Sequence, residues 1–245
     1  MTEPTYDVVA IGNAIVDVLS QSDDAFLAEA AMTKGSMQLM FSPEEADALY
    51  AKMGPGIEAS TYLMSEFIDI SKINNATVIH NPFDFFQIDQ VLNPGSLEAI
   101  RNDFPAIDKP GIYPVGSLKY GAAFAKLIAE VKSSQLCAVI GSKFGIDLSD
   151  LPLMVTVRGH AQQKDGRIHC DSSDKVVTCL LYLNEAWDAE GGRLRILRDG
   201  QNIENYAAEI PASGGSFAAF RVTPSSWHGH KPFVGERRYI MFNWI

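Results

Sequence analysis

Two short strings in the last third of the chain carry side chains that can hold a metal ion. His169-Cys170-Asp171 follows a turn signalled by Lys164–Gly166, and Trp227-His228-Gly229-His230 comes later. In an extended chain residues i and i+2 point to the same side, so His169 and Asp171 aim at one point while Cys170 faces away. Two imidazoles and one carboxylate make the facial set that suits non-haem Fe(II), leaving neighbouring coordination positions open for substrate and dioxygen. That donor set leaves the ion with residual positive charge, ready for an anionic chelator. His-x-Asp also occurs on solvent-facing turns, so the surroundings must support the reading. Arg238 lies on the strand that closes the chain. A buried arginine needs an anionic partner, and its planar fork matches a carboxylate in two hydrogen bonds. Tyr182 shares one face of the expected Val176–Leu183 strand with Thr178 and Leu180, and its phenol offers a further hydrogen bond.

These groups need strands to position them, and the last third of the sequence reads almost wholly as strand. Val155–Val157, Val176–Leu183, Leu194–Leu197, Ser216–Val222 and Tyr239–Trp244 are separated by turn signals at Asp165-Gly166, Gly191-Gly192, Asp199-Gly200, Gly214-Gly215 and Gly235. Short strands at this spacing predict a sandwich, jelly roll or barrel. Between residues 61 and 150 the pattern predicts an extended Asp84–Ile88 and a helix from Asn93-Pro94 to about Asp103. A helix over Ser117–Lys132 has Leu118, Ala122, Ala125 and Ile128 as its apolar face, and a further one covers Leu136–Lys143 and ends at Gly145. The first sixty residues alternate. Val8–Ile11, Ile15–Leu19 and Ser36–Met40 read as extended. Helices run from Asp23-Asp24 to Ala31 and, behind the Ser42-Pro43-Glu44-Glu45 start, to about Met53.

Composition narrows the function classes. The 245 residues are 47% hydrophobic and 20% charged, with a formal net charge of −10. No basic stripe suits a phosphate backbone, so no nucleic-acid partner is expected. No apolar run is long enough for a membrane span, and Met1–Asp7 lacks the basic and apolar regions of a secretory leader. The three cysteines, Cys137, Cys170 and Cys179, fit a reducing cytoplasm better than a disulfide framework. The charge is uneven. Residues 1–60 hold two basic and ten acidic side chains, whereas residues 158–245 hold eleven and ten. Oligomeric state is not legible.

Residues from about 150 to 245 resemble the prolyl-hydroxylase-like branch of the Fe(II)- and 2-oxoglutarate-dependent dioxygenases. The strings that carry the resemblance are His169-Cys170-Asp171, Val177 to Asn184, Trp187-Asp188 with Gly191-Gly192-Arg193-Leu194-Arg195, and His228 to Trp244 with Pro232 and Arg238. The resemblance implies a mainly β fold, a double-stranded β-helix (jelly-roll) core over 151–245 with helical support over 61–150. It implies that His169, Asp171 and His228 ligate Fe(II). It also implies that Arg238 pairs with the distal carboxylate of 2-oxoglutarate and that Tyr182 hydrogen-bonds it, with Thr178 and Leu180, on the same face, as further co-substrate-binding residues. The implied activity is hydroxylation of an unactivated C–H bond, a prolyl residue of a protein or peptide or else a small molecule, using O2 and releasing succinate and CO2. Ascorbate is an implied accessory. His230 shares the parity of His228, and the ten-residue spacing to Arg238 favours His228 as the ligand. Arg237 is expected to face opposite to Arg238. Arg158 and His160 stand where relatives place a hydrogen-bonding tyrosine, and His80 is expected to be structural.

Tyr6–Ser60 is similar instead to the start of ribokinase-like sugar and nucleoside kinases, through Asp7 to Asp17 and Lys34-Gly35-Ser36-Met37. The resemblance implies that Asp17 meets substrate hydroxyls. It stops near Ser60, where the chain reads Thr61-Tyr62-Leu63-Met64, and the Gly-x-Gly-Asp motif that supplies anion hole and base is absent. Phosphoryl transfer depends on such positioning groups, so kinase activity is rejected. A segment this short buries too little to be robust alone, and it is expected to be either loosely attached or packed through Val8–Ile11. The competing reading of the whole chain is a catalytically silent jelly-roll binding module. Four intact groups at His169, Asp171, His228 and Arg238 argue against that reading.

Overall fold

The computed structural model describes residues 17–19, 26, 28, 30, 57–59 and 65–245. The chain divides into two compact units, Met1–Met64 and Ser65–Ile245. In the first, β1 (Asp17–Leu19) pairs antiparallel with β2 (Ile57–Ala59). β1 falls within the expected Ile15–Leu19 stretch, and Phe26 and Ala28 are helical within the expected Asp23–Ala31 helix. Val8–Ile11, Ser36–Met40 and the helix from Ser42 to Met53 lie outside the described residues.

The second unit is mainly antiparallel β, a double-stranded β-helix with a few helices against one face. Its strands are β3 (Phe85–Ile88), β4 (Tyr113–Pro114), β5 (Leu153–Ala161), β6 (Val177–Tyr182), β7 (Leu194–Leu197), β8 (Tyr206–Ile210), β9 (Phe217–Arg221), β10 (His228–Gly229) and β11 (Gly235–Trp244). Six form one sheet in the order β3-β9-β6-β11-β5-β4, and three form a second in the order β10-β7-β8. Helices α1 (Ile70–Asn75), α2 (Ser96–Asn102), α3 (Ala122–Val131) and α4 (Ser134–Phe144) complete it. Among the described residues, no helix is long and apolar enough to cross a membrane.

Strand alternation sorts the side chains into two interiors. Val177, Cys179 and Leu181 of β6, with Ile240, Phe242 and Trp244 of β11, pack with helix residues such as Phe124, Leu127 and Ile140. Leu180 and Tyr182 of β6, with Tyr239 of β11, point the other way, toward Leu194, Ile196 and Ile210 of the small sheet. Every residue of β6 is buried, as expected of a strand covered on both faces. Phe242 is fully buried and its ring meets those of Phe217 and Trp244. Phe242→Ala is therefore expected to lower stability by about 3–5 kcal/mol in urea unfolding. A loss below about 1 kcal/mol would contradict this packing.

Two helix expectations need correction. The helix predicted from Asn93-Pro94 begins behind Gly95, whose positive φ of 80° turns the chain, and the Asn93 amide donates instead to the Ser65 and Glu66 carbonyls. The helix predicted over Ser117–Lys132 is only Ala122–Val131, because Val115–Ser117 forms a separate 3-10 turn and the Asp103 carboxylate accepts from the Ala123 N–H at the new start. The buried face is accordingly Phe124, Leu127, Ile128 and Val131, and Ala122 and Ala125 are exposed.

Candidate active site

His169, Asp171 and His228 converge. The backbones of His169 and His228 bridge antiparallel, each N–H donating to the other's carbonyl at 3.0 and 2.9 Å. Gly229 lets this crossing form, since a Cβ there would meet the Gly166 carbonyl oxygen at 2.8 Å. The two rings lie 4.3 Å apart. Each Nδ1 is tied to a backbone carbonyl, His169 to Arg167 at 2.8 Å and His228 to Ser226 at 2.9 Å. An Nδ1–H donating to a carbonyl leaves Nε2 as the lone-pair nitrogen, the tautomer a metal ligand requires.

Both Nε2 atoms face Asp171 Oδ1, at 3.9 Å from His169 and 4.0 Å from His228, and one donor atom from each residue lies within 4.8 Å of the others. Bonds of about 2.0–2.2 Å draw such atoms somewhat closer than this. The exposed His169 has room to move, while Asp171 and His228 are largely buried. Burial, with the His169 ring beside it, lowers the His228 pKa to about 4, so the ring is neutral near pH 7. Burial raises the Asp171 pKa, but opposing contributions from His228, the Thr178 hydroxyl and the Lys175 ammonium hold it below the ordinary value. With His228 neutral, Thr178 and Lys175 supply that stabilisation near pH 7. Lys175 Nζ stands 3.2 Å from Asp171 Oδ1. Sequence reasoning missed it, although its i+4 spacing from Asp171 was visible. The donor set therefore fits a divalent ion: two imidazole nitrogens and one carboxylate, facing a side open at His169.

The second part of the site corrects the sequence expectation. The guanidinium that meets Tyr182 belongs to Arg237, not Arg238. Arg237 is fully buried, with Nη2 donating to Tyr182 Oη at 2.9 Å, Nε donating to the Gly192 carbonyl at 2.7 Å and the guanidinium over the Tyr239 ring. Arg238 points to the other face, where it pairs with Glu236 at 2.9 Å and lies over Phe104. Arg237, Tyr239, Met241 and Asn243 share one side of β11, and Arg238, Ile240, Phe242 and Trp244 the other. The register of β11 on β5 shifts between Glu236 and Tyr239, so a residue count from His228 does not fix the facing. Among the described residues, Arg237 has no carboxylate at salt-bridge distance, and the nearby Asp165 is paired with Arg158 at 3.1 Å. A buried guanidinium without a carboxylate partner fits an incoming anion.

The remaining expectations fall out individually. Tyr182 and Leu180 line the same interior, and burial raises the Tyr182 pKa. Thr178 turns to Asp171 and Asn243 rather than to Arg237. His230 lies apart from the three-residue cluster, lining a groove with Asp165, Arg167, Ile203 and Pro232, and its Nδ1 meets the Lys231 carbonyl. Burial and the neighbouring Arg237 lower its pKa to about 4. His160 is bonded to the Ile107 carbonyl, and His80 pairs with Asp84 on the surface. Cys179 is buried in the core and Cys170 half-buried against the Pro224 carbonyl.

Residues 155–245 match the family model of the 2OG-Fe(II) oxygenase superfamily. No curated protein matches the chain. Among solved structures, a Pseudomonas putida prolyl-4-hydroxylase is similar at 17% identity, over 72% of this chain and 88% of that one, with a TM-score of 0.48. HygX from Streptomyces hygroscopicus, solved with nickel and 2-oxoglutarate bound, is similar at 15% identity over 65% and 81%, with a TM-score of 0.45. A viral collagen prolyl hydroxylase from Paramecium Bursaria Chlorella virus-1 is similar at 15% identity over 65% and 93%, with a TM-score of 0.41.

Proposed function

We propose that this chain is an Fe(II)- and 2-oxoglutarate-dependent dioxygenase that hydroxylates an unactivated C–H bond, with a prolyl residue of a peptide as its substrate class. The observation that carries the reading is the convergence of two lone-pair imidazole nitrogens and one carboxylate oxygen inside the segment that matches the oxygenase model. The prolyl preference rests on the resemblance of the His169–Asp171 and His228–Trp244 strings to the prolyl-hydroxylase-like branch.

When bound, iron would supply the activation of dioxygen, one oxygen atom going to succinate as 2-oxoglutarate loses CO2 and the other to the substrate hydroxyl. His169, Asp171 and His228 would hold it. Arg237 takes over the role implied for Arg238, its guanidinium receiving the distal carboxylate while the Tyr182 hydroxyl, already in contact, donates a further hydrogen bond. Gly192 fixes the guanidinium from behind through its carbonyl. Leu180, Phe220 and Tyr239 wall the interior with apolar surface and keep water from the co-substrate. The exposed edge of His169 leaves an approach for a substrate as large as a peptide.

The test is aerobic incubation with Fe(II), 2-oxoglutarate and a panel of proline-containing peptides, following succinate and the gain of one oxygen in the peptide by mass spectrometry. Succinate above the His228→Ala background, rising with an accepted peptide, is expected. No succinate above that background would overturn the oxygenase reading. Succinate without modification of any prolyl peptide would overturn only the prolyl assignment.

A further inference from the structure

Thr178 stands between two groups that cannot both receive its single hydrogen. Its Oγ1 lies 2.6 Å from Asp171 Oδ2 and 2.8 Å from Asn243 Oδ1. A hydroxyl has one hydrogen to donate, and both neighbours, as placed, only accept. Meanwhile Asn243 is fully buried and its Nδ2 has no hydrogen-bond partner among the described residues. Oxygen and nitrogen of a side-chain amide are assigned from the network around them. Exchanging the two atoms of Asn243 resolves both conflicts. The amide N–H then donates to Thr178 Oγ1, which donates to Asp171 Oδ2. The amide oxygen is left in the vacated position, and an under-satisfied carbonyl is more readily tolerated than an orphaned N–H.

We propose that Asn243 and Thr178 form a one-way hydrogen-bond relay that holds Asp171 by Oδ2 so that Oδ1 faces the two histidines. The proposal rests on Asp171 being a metal ligand. The fold builds the relay into the sheet, because Thr178 of β6 and Asn243 of β11 are directly paired in register. Thr178 is itself buried, so water does not substitute for the amide donor. Asn243 and Thr178 are thus positioning residues, acting on the ion only through Asp171.

The readout is Mn(II) affinity of the metal-free full chain by calorimetry, without 2-oxoglutarate, so turnover plays no part. Loss of such an outer partner is expected to weaken binding by about 10–100-fold. Thr178→Val should show that loss, and Thr178→Ser should restore binding to within about threefold of wild type. Asn243→Leu removes the donor while leaving the Thr178 hydroxyl, and should weaken binding several-fold. The same change in the Thr178→Val background should have no further effect, because the relay is already cut. Melting of each metal-free variant reports folding, and if Thr178→Val does not fold, Thr178→Ala replaces it. Wild-type affinity in Asn243→Leu, or additive losses in the double variant, would overturn the relay. If the wild type binds Mn(II) no better than His228→Ala, the metal-ligand reading itself fails and the relay falls with it.

Discussion

Arg237→Gln is expected to lose 2-oxoglutarate binding while Arg238→Gln keeps it. The two residues are neighbours with the same charge, so only their facing separates them. Arg237 is sealed in the interior against Tyr182 and Tyr239 with no carboxylate among the described residues at salt-bridge distance, whereas Arg238 sits at the surface with Glu236. Removing one side of a buried ion pair costs roughly 3–5 kcal/mol, which is at least about a hundredfold in affinity. The same removal at a partly exposed arginine costs at most about 1 kcal/mol. Gln keeps much of the Arg237 side chain and leaves a donor for the Gly192 carbonyl, limiting collapse of the cavity. Calorimetric titration with 2-oxoglutarate in the presence of Mn(II) reads the difference. Metal affinity in Arg237→Gln should stay near wild type, since the guanidinium touches none of the three proposed ligands. Equal loss in Arg238→Gln would place the anion site on the wrong face of β11.

His228→Ala is expected to lose most of the metal affinity and His230→Ala to keep it. Both imidazoles are buried and both are neutral near pH 7, with pKa values of about 4, so protonation state does not separate them. Direction does: His228 aims Nε2 at Asp171, while His230 belongs to a groove formed with the turn at Asp165–Arg167. With one of three protein ligands gone, Mn(II) affinity is expected to fall by more than the 10–100-fold of an outer-partner loss. His230→Ala should stay within about tenfold. Calorimetry on the folded variants checks both. Retention of wild-type affinity in His228→Ala would dismantle the site.

The convergence of His169, Asp171 and His228 is legible because it needs mostly local rules. An i, i+2 pair on an extended segment shares a side, and the strand-rich pattern around it supplied the fold class. Which of the two arginines faces Tyr182 is not legible in the spacing, because a residue count between strands of different sheets carries no information about facing. The alternation inside β11 did carry it: Ile240, Phe242 and Trp244 read as a core face, which places Arg238 with them and Arg237 with Tyr239. The extent of α3 was hidden for a different reason. Its start is set by the Asp103 carboxylate, contributed from another element, and no window along Ser117–Lys132 contains that residue. Strand β8 was missed because Tyr206–Ile210 is half-exposed along most of its length and so lacks a strong apolar run. Lys175 and Asn243 reach the site through folding contacts with Asp171 and Thr178, which spacing alone does not rank above other polar residues.

His169, Asp171 and His228 are proposed to hold an iron ion to which 2-oxoglutarate adds beside Arg237. An anaerobic titration of the metal-free chain with Fe(II) and then 2-oxoglutarate tests this by the weak visible charge-transfer band of the chelated ion. The band should appear on adding 2-oxoglutarate to the wild type, be absent in His169→Ala, and in Arg237→Gln require far more 2-oxoglutarate. No band in the wild type, or an unaltered band in His169→Ala, would overturn this assignment of the iron ligands.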